Sequence, residues 1–241
     1  FGMGESNLDD ELGDLARDDP SVTLGFRTAF PDNYLRPMAR GATAEEAEAK
    51  LAALCEAIRR RLGALVYGEG AEATLERVVV EALAATGRSL AVAESCTGGL
   101  LAERITSVPG ASRVFCGGVV AYANAAKQSL LGVPSEALAR HGAVSEAVAV
   151  AMAEGARRRL GADFAVSTTG ISGPEGGTPE KPVGTVWIGF AEARESSARE
   201  FLFPFDRIRH RMVTTQVALD QVRRTLEGHE RSAPRYLRRP R

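Results

Sequence analysis

Apolar and polar positions divide the chain into two differently patterned parts. Ser21 to Phe30 alternates like a strand with one buried face, and Pro31-Asp32-Asn33 turns it toward a second extended segment from Tyr34 to Ala39. Ala47, Leu51, Leu54, Ile58 and Leu62 then fall at helical spacing. Thr43 and Glu46 stand ahead of them in capping-box relation, and Gly63 is placed to end the helix. With an earlier helix from about Ser6 to Ala16, residues 1–70 read as an αββα unit, and the small, polar Gly68-Glu69-Gly70-Ala71 reads as a linker.

Beyond the linker, strands and helices alternate. A helix carrying Leu75, Val78, Val79 and Leu83 closes at Gly87, and the apolar run Leu90 to Ala93 follows. Val114 to Tyr122 has the Val, Phe and Tyr content of a buried strand and leads into a short helix, Asn124 to Leu131. Ser145 is placed to cap a helix with Val148, Met152 and Leu160 on one face, and Phe164 to Thr168 reads as a strand. A glycine-rich loop, Gly170 to Thr178, precedes two strands, Val183 to Ala191 and Ala198 to Phe203, and a long helix beginning near Asp206. This alternation predicts an α/β layered domain. The tail from residue 229 onward is basic, with five arginines and two prolines between Arg231 and Arg241, and is expected to be disordered.

Composition narrows the function classes. The 241 residues are 44% hydrophobic and 25% charged with a net charge of −1, so nothing selects a polyanion partner and nucleic acid is not the expected ligand. Cys55, Cys96 and Cys116 form no CxxC pair, and His141, His210 and His229 have no metal-ligand spacing, so no metal is expected and a reduced, cytoplasmic setting fits. No apolar run is long enough to span a bilayer and no signal-peptide pattern opens the chain, so no membrane is expected. A first residue Phe1 suggests a fragment of a longer chain.

The candidate chemistry begins at Ala93-Glu94-Ser95-Cys96-Thr97-Gly98-Gly99, between the Leu90 run and the apolar Leu100-Leu101. It reads as strand, sharp turn and helix, which exposes the Ser95 hydroxyl at the sheet edge beside NH groups of the helix's first turn. A simple helix cap is the alternative. A serine nucleophile needs a base, and no histidine is convincingly placed. In Tyr122-Ala123-Asn124-Ala125-Ala126-Lys127, however, a strand-end Tyr122 and a first-turn Lys127 can point into one cleft, where a desolvated lysine accepts a proton. A solvated Lys127 and a surface Tyr122 remain open. The glycines of the Gly170 loop suit close approach of backbone to a ligand, against a long mobile connection as the alternative; the chain has no Walker A loop and no GxGxxG. Arg207, at the start of the last helix, can bind an anion or simply face solvent.

Together with Gly117-Gly118-Val119-Val120-Ala121-Tyr122, His141-Gly142-Ala143-Val144-Ser145, Thr169-Gly170-Ile171-Ser172-Gly173-Pro174 and Lys181-Pro182-Val183-Gly184-Thr185-Val186-Trp187, the Ser95 segment resembles the C-terminal domain of the CinA family, the nicotinamide mononucleotide deamidase domain also called PncC. Residues 1–70 resemble that family's KH-like middle domain. The resemblance implies a three-layer α/β/α deamidase domain with a mixed sheet over 73–228, after a small α+β KH-like domain. It implies hydrolysis of nicotinamide mononucleotide to nicotinic acid mononucleotide and ammonia, without cofactor, in a homodimer. Ser95 maps to the catalytic serine with Tyr122 and Lys127 as partners, and Cys96, Thr97, Gly98, Gly99, Gly170, Gly173 and Arg207 to substrate contacts. Ala123, Ala125 and Phe205 depart from the family's usual Ser/Thr, Glu and Gly. Two rival readings are a regulatory module that binds pyridine nucleotide with little turnover, supported by those alanines, and nucleic-acid binding by residues 1–70, which lack the GxxG loop.

Overall fold

The computed structural model describes residues 1–17 and 19–231, and its first compact unit ends at Glu69. Helix α1 (Glu5–Leu12) precedes an antiparallel hairpin of β1 (Val22–Ala29) and β2 (Asp32–Ala39), and helix α2 (Ala44–Leu62) follows. This is the αββα order of the sequence pattern, with α1 stopping before Gly13 rather than continuing to Ala16. Thr43 Oγ1 accepts the Glu46 NH at 3.2 Å and the Glu46 carboxylate accepts the Ala42 NH at 2.8 Å, so two donors left open at the start of α2 are satisfied. Leu8, Leu12, Val22, Leu54, Ile58 and Leu62 bury together. Each such leucine contributes about 1.5–3 kcal/mol.

The second unit begins at Gly70. Its elements are α3 (Leu75–Thr86), β3 (Leu90–Glu94), α4 (Leu100–Thr106), β4 (Phe115–Val120), α5 (Asn124–Leu131), α6 (Ser135–His141), α7 (Glu146–Leu160), β5 (Phe164–Gly170), β6 (Thr185–Ala191), β7 (Ser196–Leu202) and α8 (Arg207–Leu226). The sheet order is β4-β3-β5-β6-β7, parallel across β4, β3 and β5 and antiparallel beyond, a mixed sheet. Successive side chains of β5 show the two covered faces. Ser167 Oγ donates to the Ala149 carbonyl of α7 at 2.6 Å, whereas Thr168 Oγ1 turns the other way and bonds Thr97 Oγ1 at 2.7 Å. Helix α7 lies across one face with α5 and α6 packed on it, and α3, α4 and α8 pack together on the other, giving three layers.

Two sequence expectations are corrected. The run Val114 to Tyr122 carries the edge strand β4, not a buried strand: only β3 pairs with it, and Cys116, Gly118 and Val120 are exposed while Phe115, Gly117 and Val119 are half covered. Apolar content does not distinguish an edge from a centre. Strand β5 continues through Thr169 to Gly170, because β6 pairs with it to that point, so Gly170 belongs to the sheet and not to the loop. Of the basic tail, residues 232–241 lie outside the described residues.

Helices α5 and α7 meet at Gly155, where an added Cβ would stand 2.0 Å from the Leu131 carbonyl oxygen. Backbone cannot yield there as a flexible side chain can, so Gly155→Ala must push α5 away from α7. The expected cost is about 1–3 kcal/mol, read as a fall in Tm of a few degrees by calorimetry. A variant as stable as the parent would contradict this packing.

Candidate active site

Strand β3 delivers the site from the middle of the three parallel strands of the mixed sheet. Its last residue, Glu94, is fully buried and turns its carboxylate onto α4: Oε2 accepts from the Gly99 and Leu101 NH groups at 3.0 Å each, and Oε1 from Ala102 NH at 2.8 Å. Gly98 and Gly99 make the turn possible, with φ of +60° and +96°, a region other residues rarely adopt. The NH groups of the helix's first turn, expected beside Ser95, are therefore not free to hold negative charge, because Glu94 already occupies them. What stays open lies one turn earlier. Among the described residues the NH groups of Cys96 and Thr97 have no oxygen acceptor, whereas Ser95 NH donates to Thr168 O and Gly98 NH to Ser95 O.

Ser95 itself is not exposed at the sheet edge but enclosed, at 8% exposure. Its Oγ lies 3.0 Å from Lys127 Nζ, brought in by the first turns of α5. Lys127 is 1% exposed, and its other two partners are the carbonyls of Ala121 and Tyr122, each at 3.0 Å. Among the described residues no carboxylate pairs with it. Burial therefore pulls its pKa below the ordinary lysine value. A neutral amine suits these three partners: two N–H bonds serve the two carbonyls, which leaves the lone pair to accept the Ser95 hydroxyl proton.

Tyr122 contributes its backbone rather than its phenol to Lys127. The ring is 59% exposed, and its hydroxyl accepts from Arg207 Nη2 at 3.0 Å. Arg207 also donates through Nη1 to the Gly173 carbonyl at 3.0 Å, so it bridges Tyr122 and the glycine-rich loop at the protein surface. Gly170 and Gly173 have reasons of packing for lacking a side chain: a Cβ on Gly170 would meet Thr185 O at 2.8 Å, and one on Gly173 would meet Val183 Cγ1 at 2.5 Å. Gly98 is exposed and Gly99 is half covered, with its NH held by Glu94.

Cys96, adjacent to Ser95, is buried, and desolvation pushes its thiol up to about 12, so it stays protonated at neutral pH. Three residues around it were missed from sequence. Ser172 lies 2.9 Å from Nδ1 of His210, which is fully buried, and stands near the Cys96 thiol, whose pKa it lowers against the larger effect of burial. His210 Nε2 faces Gly184 O at 3.2 Å, which assigns the ring proton to Nε2 and leaves Nδ1 to accept from Ser172. Burial, with the nearby Arg207 charge, pulls the imidazole to about 4, so it is neutral at neutral pH. Arg211 donates from Nε at 3.1 Å and Nη2 at 2.6 Å to the Thr97 carbonyl. Arg207, His210 and Arg211 are spaced i, i+3 and i+4, one face of α8. The only available signal was that spacing, with nothing in sequence to say what it meets.

The CinA C-terminal domain family model matches residues 72–226, and the damage-inducible protein CinA KH domain model matches residues 1–68. The chain belongs to the CinA family. A CinA-like protein of Salinibacter ruber is 48% identical over 228 residues, covering 93% of this chain and 54% of that protein. A putative competence-damage inducible protein of Symbiobacterium thermophilum is 53% identical over 190 residues, 79% of this chain and 44% of that protein. The chain spans about half the length of the curated relatives it matches. Among solved structures, the competence/damage inducible protein CihA of Agrobacterium tumefaciens superposes with a TM-score of 0.61 at 39% identity, over 64% of this chain and 93% of that one. A CinA superfamily protein of Escherichia coli gives 0.60 at 30% identity, over 67% and 97%.

Every site residue described above lies inside the matched CinA C-terminal domain. No helix of the described residues is long and apolar enough to cross a membrane.

The two environments of Cys96 and Cys116 in this CinA chain give a direct check. Iodoacetamide at pH 8 should alkylate exposed Cys116 in the folded protein and leave Cys96 untouched until denaturant is added. Mass spectrometry of the Cys96 peptide reads the result. Modification of folded Cys96 as fast as Cys116 would contradict the buried, protonated thiol.

Proposed function

We propose that the CinA C-terminal domain of this chain is an amidohydrolase that converts nicotinamide mononucleotide to nicotinic acid mononucleotide and ammonia. The observation that carries this reading is the buried Lys127 amine, 3.0 Å from Ser95 Oγ and otherwise bonded, among the described residues, to two neutral carbonyls. Neutral Lys127 takes the Ser95 proton as Oγ attacks the carboxamide carbon. Negative charge on the carboxamide oxygen is received by the NH groups of Cys96 and Thr97, which have no oxygen acceptor among the described residues. The Lys127 ammonium returns the proton to the departing nitrogen and ammonia leaves; water, deprotonated by the same amine, then cleaves the acyl ester, and that proton passes from Lys127 to the leaving Ser95 oxygen. Thiol chemistry is disfavoured by the protonated Cys96.

The nucleotide end is assigned to the exposed side of the site. Arg207 keeps an exposed guanidinium beside the glycine-rich loop, and a charge-assisted contact from it fits a phosphate. Tyr122, held by Arg207 through its hydroxyl, presents an open ring at the same mouth, suited to lie against a planar pyridine. Tyr122 is thereby assigned to substrate contact rather than to a side-chain partnership with Ser95.

Ammonia release from nicotinamide mononucleotide tests the reading, with pH as the variable. Because only the neutral amine accepts the proton, the rate should rise with pH, tenfold per unit, until it levels at the Lys127 pKa, which burial places below the ordinary lysine value. Lys127→Met and Lys127→Arg should each lose about 10²- to 10⁴-fold, since a guanidinium keeps the charge but supplies no base. Near-normal turnover in the arginine variant, or no ammonia from the parent at any pH, would overturn the assignment.

A further inference from the structure

Twelve residues, 172–183, leave the sheet between β5 and β6 and return to it. Their neck is closed by two backbone bonds, Ile171 NH to Thr185 O and Gly184 NH to Ile171 O, both 2.8 Å. Beyond that neck, residues 174–180 are exposed. A loop this long, with three glycines and three prolines, has many conformations of similar energy and needs a fastening to keep one.

The fastening comes from α8. His210 touches both sides of the neck at once: Nδ1 accepts from Ser172 Oγ on the outgoing side at 2.9 Å, and Nε2 donates to Gly184 O on the returning side at 3.2 Å. Gly184 O also accepts from Phe203 NH at 2.9 Å, and the Phe203 ring lies 6.0 Å from the imidazole, so the ring has little room to turn. Ser172 also stands near Cys96, the residue after Ser95, whose thiol pKa it lowers against the larger effect of burial. The donors run in one direction, from Ser172 O–H to His210 Nδ1 and from His210 Nε2–H to Gly184 O. One turn back on α8, Arg207 holds Gly173 O, the next residue of the same neck.

This pair is not placed to do chemistry on a substrate. Ser172 and His210 are both buried, at 5% and 0% exposure, and His210 has no carboxylate behind it to raise its basicity. We propose that Ser172 and His210 are positioning residues, a buried latch that fixes the neck of the 172–183 loop and keeps the loop and Arg207 in register with the Ser95 turn. The latch itself stands on the hydrogen bonds alone; its kinetic consequence rests on the nucleotide-deamidase reading.

The test separates the two. Ser172→Ala removes the hydroxyl at little cost in volume, and His210→Gln keeps a donor for Gly184 O while removing the Nδ1 acceptor. A glutamate-specific protease cuts after Glu175 and Glu180 in the exposed part of the loop, so its rate on the full chain reports loop opening whether or not any substrate turns over. Each variant should be cut at those two sites about tenfold faster than the parent, and the double variant no faster than the worse single one, because both changes break the same contact. In ammonia release, KM for nicotinamide mononucleotide should rise about tenfold while kcat falls less. Unchanged cleavage in both variants overturns the latch. Faster cleavage with no ammonia from any form, parent included, leaves the latch standing and removes the deamidase reading. Faster cleavage with KM and kcat both unchanged overturns the claim that the latch positions the site.

Discussion

A lysine side chain sealed from water among neutral partners is the constraint around which the second unit is arranged. Removing a charge from solvent without a counter-ion costs several kcal/mol, so the fold favours Lys127 as the amine. Holding that amine in place demands rigid neighbours. The close contact at Gly155 brings α5 down on α7, and the Lys127 carbonyl itself is tied by the Val133 NH at 3.1 Å. The two carbonyls that receive its protons, from Ala121 and Tyr122, follow directly on the end of β4. A strand end, a helix turn and the Ser95 turn therefore converge on one nitrogen.

Two further devices fix the turn that faces it. Glu94 closes α4 from below by accepting three backbone NH groups, which spends the helix terminus on structure, while the NH groups of Cys96 and Thr97 have no oxygen acceptor among the described residues. Arg211 closes the turn from the α8 side through the Thr97 carbonyl, and Thr168 holds the Thr97 hydroxyl. Helix α8 thus contributes Arg207, His210 and Arg211 from one face to three separate segments, the loop neck, Tyr122 and the Ser95 turn.

Much of this was legible in the residues. Thr43 with Glu46, Gly87 and Ser145 marked helix ends because capping chemistry is local, and the structure places caps at all three. The Ser95 turn and the meeting of Lys127 with it followed from strand, turn and helix in sequence order. The illegible part is long-range. Glu94 looks like any acid at a strand end until α4 folds back over it, and His210 is a lone histidine whose partners lie 38 and 26 residues away. Val114 to Tyr122 reads as a buried strand because apolar content records burial on average, whereas edge position depends on which strand pairs next. Tyr122 was read by its side-chain chemistry when its backbone carbonyl makes the contact to Lys127.

The central claim, that Ser95 Oγ is the attacking atom, is tested most directly by comparing turnover with binding in Ser95→Ala. Ammonia release from nicotinamide mononucleotide should fall by roughly 10³-fold or more, while calorimetric affinity for the same nucleotide stays within about tenfold of the parent, because the pocket remains when the hydroxyl is removed. Turnover within tenfold of the parent would contradict the account and send the search for a nucleophile elsewhere.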